Sequence, residues 1–243
     1  MFAMLGIGAF FLVGLLVSIR LLALWRRTRQ WPELAAALGL LGIGPLGFCV
    51  LMTGIVLFRG TPWMPYFRAA GLGVQALGFV ASVSFTWRVF RPKERWAAVL
   101  VAGLSLALMG TGIGMIVSPF VPGHLEPHQH ADIILKILAL GWGAFESLRY
   151  WWTFRKRVAL GLADPLVSAS FLMWGITSGA GALGFVIVYA AIVSLQPGGH
   201  PSTPVNLVLS GIGLVAAVSL YLSFLPPQVY RHRVEAHAPA SGG

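Results

Sequence analysis

Glu146 and Arg149 stand three residues apart in the stretch Asp132 to Thr153, which is otherwise largely apolar. On a helix that spacing puts both on one face, close enough to pair. A carboxylate inside hydrocarbon is expensive and is a functional candidate by default. Glu146 could be a proton-relay group or a switchable latch to Arg88 or Arg20. A static ion pair that fixes helix packing is the competing reading. Asp132 and Lys136, four apart, share a face nearer the other end of the same stretch. With Gln75 and Asn206 from other apolar stretches they could line a small polar pocket suited to a zwitterionic or anionic molecule. Interfacial anchoring of a snorkelling Lys136 is the alternative. Just before them, His124, His128 and His130 alternate with Glu126 and Asp132. Imidazoles in that pattern suit Zn²⁺ or Cu²⁺, although exposed loop histidines often bind nothing, and protonation near neutrality is a third possible use.

Other chemistries lack their residues. None of the predicted spans contains a histidine, which removes bis-histidine haem and helix-histidine zinc sites. The last span has no lysine for a retinal Schiff base. No Ser–His–acid set can assemble in the apolar stretches, so neither an enzyme nor a cofactor is expected. Gly110-x-Gly112-x-Gly114 and Gly175-xxx-Gly179, followed by Gly181 and Gly184, resemble nucleotide-binding glycines only superficially. No strand precedes them, and small residues at such spacing let membrane helices pack closely. Cys49, the single cysteine, excludes a disulfide within the chain and reads as a small buried apolar residue.

The elements that position these groups follow from hydropathy. The 243 residues are 57% hydrophobic and only 10% charged, with mean hydropathy +0.82. A soluble domain carries roughly 25% charged residues, so this surface is suited to lipid. A bilayer core about 30 Å thick needs roughly 20 apolar helical residues. Seven stretches qualify, at 4–24, 33–58, 69–90, 96–118, 132–153, 165–195 and 205–225. The fold expected is an all-α, seven-helix transmembrane bundle in one domain over 1–233, with a disordered tail at 234–243. Asp164-Pro165 supplies a capping carboxylate and a first-turn proline. Pro226-Pro227 stops the last helix, and Pro45 predicts a kink in the second.

The formal charge of +10 reads as topology, because the basic residues fall between apolar stretches. Nucleic acid is therefore not an expected partner. Arg26, Arg27, Arg29, Arg88, Arg91, Lys93, Arg95, Arg149, Arg155, Lys156, Arg157, Arg231 and Arg233 lie toward one side of the predicted bundle, and Arg59 and Arg68 lie toward the other. Lysine and arginine mark cytoplasmic loops, which predicts an outer N-terminus and a cytoplasmic C-terminus. No stretch between spans is long enough for a kinase, a cyclase or a soluble binding domain.

The runs Arg155-Lys-Arg-Val-Ala-Leu-Gly-Leu-Ala-Asp-Pro-Leu-Val, continuing through Phe171-Leu-Met-Trp-Gly175, and Arg27-Thr-Arg-Gln-Trp-Pro-Glu33 resemble motifs of uncharacterised seven-helix bacterial membrane proteins. The resemblance implies a bacterial inner-membrane, multi-pass protein and supplies no ligand or activity. The plan is similar to bacterial seven-helix sensor modules, which usually carry an output domain that this sequence lacks. The function expected is receptor-like or accessory, with a small ligand or a partner membrane or signalling protein bound through an outward-facing polar pocket. A small-molecule or proton-coupled carrier with Glu146 as coupling acid is the alternative.

Overall fold

Proline and apolar run length set most of the helix starts. The computed structural model describes residues 5–118, 125–194 and 202–236. Among them the elements are α1 (Leu5–Thr28), α2 (Trp31–Ile43), α3 (Pro45–Leu57), α4 (Met64–Phe90), α5 (Arg95–Val117), α6 (Pro127–Ala159), α7 (Pro165–Ser194), α8 (Thr203–Phe224) and α9 (Gln228–Ala236). Proline stands in the first turn of α2, α3, α4, α6 and α8, where its missing N–H would be unbonded anyway. At α7 the Asp164 carboxylate accepts the Leu166 N–H at 2.8 Å. The α6 helix ends on Gly161, φ +67°, whose N–H bonds to the Val158 carbonyl while the Leu162 N–H bonds to that of Arg157. That pair of bonds is a Schellman stop, and the left-handed residue in it is glycine for want of a Cβ.

Among the described residues the regular elements are all helices, and the chain is a multi-pass membrane protein. Six segments are long and apolar enough to cross a bilayer, counting α2 and α3 together over Trp31–Val56. The burial pattern is inverted from that of a soluble domain. Leu106 and Val117 on α5 are 76% and 74% exposed, whereas Glu146 and Asp132 are 1% and 2% exposed. The fifth expected span, carried by α6, is not among the six, because Asp132, Lys136, Glu146 and Arg149 lower its hydropathy. It nevertheless packs along α7 and against α4 and α5, and its 33 residues extend about 50 Å at 1.5 Å per residue.

Successive long helices run antiparallel. At one end the Arg20 guanidinium donates to the Phe224 carbonyl at 2.9 Å, and the Tyr150 hydroxyl donates to that of Phe90 at 2.8 Å. At the other end the Gly6 N–H donates to Ser210 Oγ at 3.0 Å. Arg68 reaches the carbonyls of Met115 and Ser118 at the C-terminus of α5. Several crossings among the described residues bring backbones into direct contact, Gly71 of α4 against Leu51 of α3 being one. A Cβ on Gly42 would fall 2.6 Å from Gly78 Cα, and one on Gly213 would fall 2.7 Å from the Gly6 carbonyl carbon.

Three sequence expectations change in detail. Pro45 does more than kink the second span. Gly44, with φ −103° and ψ −101°, separates α2 from α3, since Pro45 has no N–H to return to the Leu41 carbonyl. Cys49 faces outward from α3 and is exposed, so it is on the lipid-suited surface. After Pro226-Pro227 the chain resumes as α9 through Ala236. The stretch 234–236, expected to be disordered, is helical, and 237–243 lies outside the described residues.

Candidate functional site

The α6 helix carries two buried charge clusters about 14 residues apart, or roughly 21 Å along its axis. The first is Asp132 with Lys136, whose ammonium donates to Asp132 Oδ2 at 2.6 Å. The other carboxylate oxygen accepts the Thr111 hydroxyl of α5 at 3.2 Å. Both charged residues are more than nine-tenths buried. Burying two charges repays itself only when the geometry is good and further hydrogen bonds satisfy the remaining lone pairs, which the Thr111 bond helps to provide. Lys136 Nζ also lies over the Phe79 ring, 5.6 Å from its centroid.

Asp132, Lys136 and Gln75 line one cavity of about 420 Å³. Gln75 and Phe79 are four apart on α4 and share a face, and the Gln75 side chain passes Gly47 of α3. Among the described residues no protein group bonds to the Gln75 amide. The rest of the wall is chiefly apolar, with Phe10 and Phe11 of α1, Phe48 of α3, Phe85 of α4, and Trp174 and Phe185 of α7. The pocket expected as polar is therefore a largely apolar chamber whose charged groups are Asp132 and Lys136, with Gln75, Ser82, Thr177 and Ser178 also in its wall. Asn206 does not line it. The lining positions on α8 are Leu209, Ile212, Gly213 and Ala216, a stripe with helical spacing, and Asn206 lies one turn past its end.

The second cluster centres on Glu146. Arg91 Nε donates to its Oε1 at 2.9 Å and Arg149 Nη1 to its Oε2 at 3.5 Å. Arg91, at the C-terminal cap of α4, thus takes the place expected for Arg88, whose guanidinium stacks on Trp87 at 4.7 Å. Arg20 is engaged with α8, as described above. Arg91 is mostly buried and Arg149 half exposed. Arg91→Met should therefore lower stability by about 2 kcal/mol by leaving Glu146 with one weak partner. Arg88→Met, at an exposed position, should stay within about 0.5 kcal/mol. Denaturant titration of the two purified variants separates these outcomes.

The histidines do not converge in the described residues. His130 Nδ1 is 2.9 Å from the Tyr189 hydroxyl, and His128 Nδ1 is 3.4 Å from Glu126 Oε2. His124 lies outside the described residues. No group of three His, Cys, Asp or Glu side chains able to hold a metal is found among those described. Glu126 instead forms a capping box with Gln129, in which each side chain accepts a backbone N–H of the other residue. Comparison with protein-family models, curated proteins and solved structures found no match.

Proposed function

We infer that the protein is a receptor-like or accessory membrane protein that holds a small lipophilic ligand in the chamber lined in part by Gln75, Asp132 and Lys136. The observation that carries this reading is the chamber itself, about 420 Å³ with a buried ion pair in its wall. Ligand sites are apolar hollows with a few convergent polar groups, and the chamber has that composition. A carrier with Glu146 as coupling acid would need that carboxylate on the same lumen. Glu146 is not among the lining residues, and both of its oxygens already accept from arginine. A bacterial inner-membrane location rests on the resemblance of the two sequence motifs.

The test is ligand-dependent stabilisation. Naphthalene should raise the unfolding temperature of the purified protein saturably, with about 2.7 kcal/mol gained at a hundredfold excess over Kd. Gly184 lines the chamber, and a Cβ there would still be 3.9 Å from Ile212 Cγ2. Gly184→Leu should fill the space and remove the effect while leaving the fold. Proton uptake into proteoliposomes that disappears in Glu146→Gln would instead establish the carrier.

In this reading α6 crosses with the six apolar segments, giving seven crossings, an outer N-terminus and a cytoplasmic C-terminus. The support is the antiparallel alternation and the gathering of basic residues at the end where α1, α4, α6 and α8 terminate. In a Cys49→Ser background, a cysteine at Arg59 should react with an impermeant maleimide on intact cells, and one at Arg157 should not. The reverse pattern overturns the orientation.

A further inference from the structure

The Asp132–Lys136 part of the chamber wall has a definite donor and charge inventory. An ammonium has three N–H donors and no acceptor. The carboxylate of Asp132 uses one of the Lys136 donors, and no other hydrogen-bond acceptor meets Nζ among the described residues. The Gln75 amide, in the wall of the same chamber, adds two N–H donors and a carbonyl acceptor. Asp132, the acid there, already accepts from Lys136 and from Thr111. The ammonium itself is donor-only and keeps two unused N–H groups, so a ligand head that meets Lys136 must bring an acceptor.

The charge balance narrows the class further. Asp132 and Lys136 cancel at 2.6 Å, so the wall is neutral where the ligand would sit. Arg68, two turns before Gln75 on α4, is occupied by the carbonyls of Met115 and Ser118. An anionic head would leave one uncompensated charge in a low-dielectric, phenylalanine-lined space, where isolated charges are strongly disfavoured. A carbonyl oxygen accepts from Lys136 and Gln75 without adding charge. The rings of Phe10, Phe11, Phe48, Phe85 and Phe185 suit a flat or branched hydrocarbon body.

Resting on the ligand-binding reading above, we propose that the chamber takes an uncharged lipophile with a carbonyl head, in the chemical class of quinones, aryl ketones and lactones, and that the head is recognised by Lys136 and Gln75. The sequence pattern alone pointed to a zwitterion or an anion, and the Asp132–Lys136 contact changes that choice.

Three probes of one shape test it on the purified full chain: 2-methyl-1,4-naphthoquinone, 2-naphthoate and naphthalene, each followed by saturable thermal stabilisation. The quinone should bind at least tenfold tighter than naphthalene. That advantage should vanish in Asp132→Leu/Lys136→Met, which removes both charges together, and fall about threefold in Gln75→Leu. Naphthalene affinity should be unchanged in both variants. If the double variant does not fold, Gln75→Leu alone decides, and an undiminished quinone advantage there overturns the proposal. Tightest binding of 2-naphthoate overturns it in favour of an anion site. Equal affinity of quinone and naphthalene for the unmodified protein also overturns it, while the chamber remains a binding site. Failure of all three probes to bind removes the ligand-binding reading beneath it.

Discussion

Lys136→Met is expected to destabilise the protein by about 3–5 kcal/mol, the range for breaking a buried pair and leaving one charge alone. Asp132 would keep only the Thr111 hydroxyl, at a site 2% exposed. Asp132→Leu placed in the same background should recover most of the loss, since removing both charges from an apolar setting is often neutral or stabilising. The double-mutant cycle, read by denaturant titration in mixed micelles, isolates the pair's own contribution. Equal loss in the single and double variants would mean that Lys136 acts through packing over Phe79.

Gly78→Val should be at least as damaging, with little folded, monodisperse protein recovered. A Cβ at Gly78 would lie 2.6 Å from Ile43 N and 2.7 Å from Gly42 C, and backbone atoms cannot turn aside as a side chain can. Overpacking typically costs about 1–3 kcal/mol and more where no relaxation is open. The matched control is Gly110→Val, because a Cβ there meets nothing within 4 Å. It should leave yield and unfolding temperature nearly unchanged.

Those two glycines also show what the sequence could and could not reveal. Spacing within one segment singled out Gly110, Gly112 and Gly114, yet only the latter two meet a neighbour, Ala76 and His128. The tight crossings, Gly42 with Gly78 and Gly6 with Gly213, each join residues from different helices. Such an approach is set by how two helices dock, and no local pattern encodes it. The apolar helices were legible because lipid demands long hydrophobic runs. The charged helix was legible as a segment but too short in extent. The α6 helix runs from Pro127 to Ala159, beyond the apolar stretch at both ends, because its polar ends continue the backbone hydrogen bonding that hydropathy does not register.

The site was legible in part. Period-four spacing placed Asp132 beside Lys136, a contact internal to one helix. Period three did the same for Glu146 and Arg149. Gln75 reached the same chamber from α4, and Asn206 fell one turn beyond it. Arg91 escaped notice because it caps a helix, where the side chain leaves the helical register and can turn back toward a neighbour. The aromatic character of the chamber was hidden too, since its rings come singly from several helices.

The uneven apolarity of the helices has a consequence for biosynthesis. A charged residue at the middle of a helix adds about 2.5–3.5 kcal/mol to the cost of release from the translocation channel into lipid. In the seven-crossing reading proposed above, α6 is the one segment that lipid alone would reject. Its charges are paired within the helix and with Arg91, and Thr111 adds a hydrogen bond to Asp132; both partners are synthesised before it. On that reading the nascent chain has to retain α4 and α5 near the channel until α6 emerges, and α7, its most extensive neighbour, seals it afterwards. Seven crossings would thus make membrane integration cooperative at the centre of the chain and sequential at its ends.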